Sequence, residues 1–316
     1  MPWRVGIDEN GLGPQLGPLI VTGVMAKVTD GAQRALRRGA EAFLHERLDD
    51  SKALVRHGDI ALGEAWARAV ADKCGMQCSE PEALAEALAL QARAQRVRSC
   101  PAPALEQCWS SGGERFEASE AQLAQAREDL AVLARRGIEV VWARSAIVCV
   151  RALNEARQQG IGRFESDLHA MEELALAARA AAPAELEVTC GKVGGLQRYV
   201  PSMRLLGDRL HVVLGEERAC SSYRFPGLGT VHFVRDADGS DPLVALASLL
   251  GKYMRELLMA RIVRFYRLRE PQLHQASGYN DPVTDSFVRG TRALRRKLAV
   301  PNACFRREQA SAGPRS

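Results

Sequence analysis

An α/β domain, with a mixed sheet flanked by helices, is predicted by three features of the chain. Short β-branched runs alternate with amphipathic, Ala- and Leu-rich stretches. A turn dense in glycine and proline joins the first two apolar runs, and one long helix-forming segment follows the last. The 316 residues are 47% hydrophobic and 26% charged, ordinary globular composition with enough length to bury a substantial core.

Val5 to Ile7 and Leu19 to Met25 read as two strands, because β-branched residues dominate both and Gly6 to Leu19 (GIDENGLGPQLGPL) punctuates between them. Ala32 to Arg47 and Gly58 to Lys73 carry apolar residues at helical spacing, with Asp49 to Leu54 as a turn between them. Glu80 to Arg98 and Ser119 to Arg136 are also predicted helices, flanking a small loop that contains Cys and Pro. Ile138 to Trp142 and Ser145 to Val150 read as strands, Asp167 to Ala182 as a helix, and Leu186 to Cys190 as a strand. Leu210 to Leu214 and Thr230 to Val234 are strands, and Pro242 to Arg269 is a long helix whose LVALASLL stretch is its buried face. The whole chain, 1–316, reads as one domain with a loose tail at 310–316.

Lys and Arg number 43 against 38 Asp and Glu, a formal charge of +5 that permits a polyanionic partner without demanding one. The excess gathers toward the C-terminus, where Arg289 to Lys297 would suit contacts with a phosphate backbone or form a solvated helix face. No apolar leader follows Met1 and no run of about eighteen uncharged apolar residues occurs, so a soluble, cytoplasmic protein is expected. In that setting the eight cysteines read as reduced thiols; Cys74, Cys78, Cys100 and Cys108 offer a structural zinc site as the alternative. The six histidines fall singly, which gives hydrolase mechanisms built on Ser/His or Cys/His pairs no support.

Asp8 and Glu9 are neighbours on a strand, where side chains alternate faces, so they share a site only if the strand ends or bulges there. Their surroundings, GIDExGxGPxxGPL, resemble the opening signature of the type 2 ribonuclease H family, ribonucleases HII and HIII. Further segments follow in the family's order: Asp50-Ser51-Lys52 with Leu54, Leu153-Asn154 followed by Leu168 to Met171, then Asp238 with Pro242, Ser248, Leu250 and Lys252, and finally Gly278-Tyr279. Residues 74–136 and 192–230 fall outside the resemblance and read as insertions, the first of them helical.

The resemblance implies a ribonuclease H-like mixed sheet and a Mg²⁺- or Mn²⁺-dependent endonuclease acting on the RNA strand of RNA/DNA hybrids or on ribonucleotide-containing duplexes. Two divalent cations about 4 Å apart need several converging carboxylates. Asp8, Glu9 and Asp238 match three of the family's four metal-binding acids. The fourth family acid lies in a V-D-G segment; here Val188-Thr189-Cys190-Gly191 stands there, so the catalytic position of Cys190 carries a thiol, a soft ligand suited poorly to Mg²⁺. Asp236, aligned with Asp238 if the D-A-D segment is extended, is a substitute metal ligand, and Asp241 is another.

Leu12 replaces the arginine of the family's G-R-G element, which grips the ribose 2′-hydroxyl with a tyrosine matched by Tyr279. Gly11, Leu12 and Gly13 retain backbone N–H groups for the substrate strand. Lys52 and Lys252 are candidates for phosphate contacts, and Asn154 either bonds the bound strand or caps a helix. The two departures keep a second reading open, a nucleic-acid-binding protein on the same fold with catalysis impaired. A DNA-processing nuclease of similar fold is a third.

Overall fold

Three strands make an antiparallel half-sheet: β1 (Trp3–Asn10) pairs with β2 (Leu19–Val28), and β2 with β3 (Ile138–Val148). On its other side β1 runs parallel to β4 (Leu186–Gly191), and β4 parallel to β7 (Gly229–Val234). β6 (Cys220–Phe225) and β5 (Val212–Glu216) extend the sheet antiparallel to its edge, giving the order β3-β2-β1-β4-β7-β6-β5. The computed structural model describes residues 2–36 and 58–308, and all seven strands belong to this one mixed sheet.

Eleven α-helices among the described residues cover both faces. In chain order they are α1 (Asp30–Leu36), α2 (Ala61–Lys73), α3 (Pro81–Leu88), α4 (Arg93–Val97), α5 (Ala102–Trp109), α6 (Glu120–Arg135), α7 (Val150–Gln158), α8 (Arg163–Ala181), α9 (Pro242–Arg267), α10 (Pro282–Gly290) and α11 (Arg292–Lys297). Strand alternation sorts the core into two layers. Val5, Ile7, Val188 and Cys190 pack against Leu168, Met171 and Leu174 of α8. Ile20, Val24 and Val140 face the other layer, built from α9 with α2, α3 and α6. Leu243, Leu246, Leu249 and Leu250 of α9 are fully buried there. Truncating one of them costs about 2–5 kcal/mol.

Gly6 sets how closely α9 lies on β1. A Cβ at this position would stand 2.3 Å from backbone atoms of Leu243 and Val244, so any larger residue lifts the helix off the strand. Asp241 starts the helix: its carboxylate accepts from Leu243 N at 2.9 Å and pairs with Arg4 at 3.0 Å, with Pro242 in the first turn. A third cluster joins Leu16 of the glycine-rich loop to Tyr266, Phe287 and Phe305.

The expected strands at 138–142 and 145–150 are one strand, β3, whose register shift opposite Met25 and Ala26 takes up the irregularity. The expected helix at 80–98 breaks after Leu88, where Ala89 bridges to Ser145 and Leu90 N donates to the Ser145 carbonyl at 2.8 Å. β6 and the short helices α7 and α10 were not expected, and the loop expected between Arg98 and Ser119 contains helix α5. α8 begins at Arg163, four residues before the predicted start, because Glu165 reaches back to Gly162 N at 2.6 Å. The predicted turn at 49–54, with Lys52, and the tail at 310–316 lie outside the described residues. No described helix is long and apolar enough to cross a membrane.

Candidate active site

The acids gather at the carboxyl ends of three adjacent parallel strands, β1, β4 and β7, the edge where open α/β sheets place their crevices. β1 stays in regular register with β2 through Asn10, so no bulge brings Asp8 and Glu9 together. Instead β1 outruns β4: their pairing ends at Ile7 opposite Cys190, leaving both acids beyond the last rung. A Cβ on Gly191 would stand 2.9 Å from Asp8 Oδ1 and 4.0 Å from Glu9 Oε2, so two carboxylates of opposite strand faces converge on one glycine. Only a residue without a side chain leaves that space open.

Asp8 is 9% exposed. Burial holds its carboxyl well above the usual carboxylate range, and the charges of Glu9 and Asp238 push it the same way; hydrogen bonds from the Ser248 side chain and the Glu9 backbone oppose this. Asp238, half-buried in a short 3₁₀ turn (Ala237–Gly239) after β7, therefore lies within electrostatic reach of Asp8. Lys252, half-buried, is one helical turn beyond Ser248 on α9 and so on the same side.

Neither proposed substitute acid is arranged as expected. The D-A-D segment is a turn, not a strand: Asp236 takes φ 52° and ψ 40°, its side chain is 89% exposed, and Arg235 lies 3.6 Å away. Asp241 is engaged as the cap of α9 and the partner of Arg4. The acid that does lie beside the site is Asp167, near the start of α8. It is fully buried and neither carboxylate oxygen has a hydrogen-bond partner. Burial raises its carboxyl far above the usual range, with Glu9 and Asp8 adding to the effect. Cys190 is 1% exposed; burial first, then Asp167 and Asp8, drives its thiol up, so it stands as a neutral S–H.

The glycine-rich loop is fastened by the C-terminal part of the chain. Gly278 O accepts from Gln15 N at 2.9 Å and Leu16 N at 3.1 Å, and Asn280 donates to Gly13 O at 3.1 Å. Arg307, 2% exposed, donates to Gly11 O at 2.6 Å and to Gly17 O at 2.7 and 2.9 Å. Gly11, at φ +91°, is buried under Arg255; Leu12 is half-buried and Gly13 exposed. Tyr279 is 44% exposed and its ring lies 4.5 Å from the buried Arg255 guanidinium, so the loop and the tyrosine share one rim. Where Leu12 lacks an arginine, Arg163 of α8 comes within 3.5 Å of the Leu12 and Gly13 carbonyls.

Asn154 serves another purpose than either expected. It sits inside α7, 2% exposed, donates to Ala303 O and Arg306 O at 3.0 Å and accepts from Glu308 N at 2.8 Å, so it anchors the C-terminal segment and neither caps a helix nor faces a bound strand. Of the basic run, Arg289, Arg292, Arg296 and Lys297 are exposed, whereas Arg295 stacks on Phe305. The zinc set does not assemble. Cys108 has Cys149, Cys100 and Cys304 as its thiol neighbours, while Cys74 lies by Arg144 and Lys73. Burial raises Cys74 to about 11 and Cys108 to about 12, which keeps both protonated. Among the described residues no group of three or more His, Cys, Asp or Glu side chains is arranged to hold a metal ion.

No protein-family model matches the chain, and no curated protein matches it. Solved structures do. Ribonuclease HII of Archaeoglobus fulgidus, in its complex with PCNA, is 19% identical at a TM-score of 0.43, with 99% of this chain and 97% of that one covered. Ribonuclease H2 of Pyrococcus horikoshii OT3 is 12% identical at 0.42, over 96% and 92%. Bst-RNase HIII in complex with Mn²⁺ is 15% identical at 0.45, over 96% of this chain and 66% of that one. The mixed seven-stranded sheet with helices on both faces is an α/β fold. The chain is thus similar to these solved structures over nearly its whole length, at low identity.

Proposed function

We propose that the protein is a divalent-metal-dependent endoribonuclease that cuts the RNA strand of RNA/DNA hybrids, leaving a 3′-hydroxyl and a 5′-phosphate. One observation supports the reading: Asp8 and Glu9, both hard oxygen donors, converge on Gly191 at the carboxyl edge of β1 and β4, and Asp238, in the turn after β7, lies within electrostatic reach of Asp8. Carboxylates are the donors that Mg²⁺ and Mn²⁺ favour, with water and substrate phosphate as further ligands, so the reading requires the acids to draw together when ions and substrate bind. Bound there, such ions supply an activated water and charge neutralisation at the leaving oxygen.

The chain's own residues do the rest. Ser248 steadies the Asp8 carboxylate through its hydrogen bond. Gly11 to Gly13 present an anchored backbone edge to the substrate strand, and Tyr279 offers an exposed ring beside it for the sugar or base. Lys252 and the exposed arginines of α11 suit phosphate contacts.

The test is to incubate the full chain with a labelled RNA/DNA hybrid and with a duplex holding one ribonucleotide, in Mg²⁺ and then in Mn²⁺. Hybrid cleavage that Asp8→Asn abolishes is the expected result. Salt-sensitive binding without cleavage replaces this reading with that of a binding protein on the same fold, and neither binding nor cleavage sinks both.

A further inference from the structure

β5 closes one end of the sheet and pairs only with β6, so its outer backbone edge has no neighbour among the described strands. Leu210, Val212, Val213 and Leu214 are each at least half exposed, and no other five-residue stretch of the described chain exposes as many large apolar side chains. Consecutive strand residues point to opposite faces, so exposure of both Val212 and Val213 leaves neither face of β5 under a helix. Edge strands are ordinarily guarded by a charge, a proline or a bulge. Residues 210–214 hold no Lys, Arg, Asp, Glu or Pro; the guard present is a bulge at Leu214, where pairing with β6 steps from Val213 to Gly215.

The charges flanking this run are self-complementary. When two such strands lie antiparallel about Val213, Val212 of each copy meets Leu214 of the other and Arg209 meets Glu217, every pair occurring twice because a two-fold contact is isologous. Arg209 and Glu217 are exposed, and neither charge has a salt-bridge partner among the described residues: the Arg209 guanidinium bonds the Leu205 carbonyl, and Lys192 bonds the Glu217 main-chain carbonyl. We propose that β5 is a self-association edge, on which a second copy of the chain pairs its own β5 antiparallel about a two-fold axis through Val213 and joins the two sheets into one. The copy is the occupant because the charge order matches itself end for end. The inference is independent of the nuclease reading, since β7 and β6 separate β5 from the strands that carry Asp8 and Glu9 and meet at Gly191.

Sedimentation velocity and light scattering on the full chain, without metal or nucleic acid, measure the monomer–dimer equilibrium. A strand edge this short makes a small interface, so wild type is expected to dimerise with a Kd on the order of 10 µM. Val213→Lys sets two ammonium groups face to face at the axis and is expected to weaken the dimer about tenfold or more. Arg209→Glu and Glu217→Arg each oppose like charges twice and are expected to weaken it about fivefold or more. An equimolar mixture of these two single variants restores an opposite pair at both ends, so its heterodimer is expected to recover wild-type affinity within about threefold. All three positions are exposed, so each variant is expected to melt within about 3 °C of wild type when both are monomeric. A wild type that stays monomeric up to about 200 µM overturns the proposal and leaves the edge to a different partner. A dimer that survives Val213→Lys, or a mixture of the charge variants that does not recover it, overturns it as well.

Discussion

The Arg307 guanidinium donates to the Gly11 carbonyl at 2.6 Å, across 296 residues of sequence. The same side chain holds Gly17 O from two nitrogens, so a single arginine closes the glycine-rich loop at both ends. Burial, with Arg255 and Arg163 nearby, pulls its pKa down to about 9, still leaving it charged at neutral pH. Arg307→Ala removes four charge-assisted bonds to three carbonyls, those of Gly11, Leu12 and Gly17, so a loss of roughly 2–4 kcal/mol in urea unfolding is expected. Arg307→Lys recovers only part of it, because a point charge cannot span these carbonyls.

Asp8→Asn separates chemistry from stability. Hybrid cleavage should fall by about 10³-fold or more, the loss of several kcal/mol of metal-supplied stabilisation. Unfolding free energy should hold or rise, because the variant removes a buried charge that Glu9 and Asp238 repel. A fall in both quantities together would assign Asp8 a structural role instead.

The pH dependence has a definite sign. Asp8 and Asp167 have folded-state pKa values raised above the unfolded ones, so their contribution to stability is fully present below about pH 4, the ordinary carboxylate value, and is lost as pH rises through the raised values. Relative to the Asp8→Asn, Asp167→Asn double variant, metal-free wild type should therefore lose stability from about pH 4 toward neutrality. The rise in melting temperature on adding Mn²⁺ should grow over the same interval, since cation binding needs the deprotonated acids. Melting curves of both proteins across pH, with and without Mn²⁺, check this.

Arg163 and Asn154 bracket the loop with opposite expectations. Arg163 is half-buried and its contacts with Leu12 and Gly13 are 3.5 Å long, so Arg163→Ala should change stability by less than about 0.5 kcal/mol. It should lower hybrid affinity and reduce the slope of log affinity against log salt by about 1, as expected for one lost phosphate contact. Asn154→Ala should do the reverse, costing roughly 2–3 kcal/mol of stability through its three buried bonds while leaving the salt slope unchanged.

Elements defined by local pattern were legible in the sequence. The hairpin through Gly6 to Leu19, the helix from Pro242 and the β4 run all depend on neighbours within a few residues. What depends on distant pairing was not. Asp167 looked like an ordinary acid at a helix start; only the docking of α8 over β1 and β4 turns it inward. Asn154 read as a contact for a bound strand or as a cap because its actual partners lie about 150 residues downstream. Asp236 was placed by assuming an extended segment, and the positive φ that turns it into solvent leaves no mark on an aspartate in sequence. The opening acids were expected to meet only where the strand ends or bulges; it is the pairing of β1 with β4 that ends, at Ile7 opposite Cys190, a feature that belongs to two strands and to neither alone.

The chain order of the sheet has a consequence for how the protein comes into being. β1 emerges first from the ribosome yet lies inside the sheet, with β2 on one side and β4, begun at Leu186, on the other. The early hairpin waits with one flank unpaired until β4 is made, and Asp238 joins Asp8 and Glu9 only after β7. Synthesis therefore brings Asp238 to Asp8 and Glu9 once the seven strands are made, ahead of the helix and C-terminal segment that fasten the site.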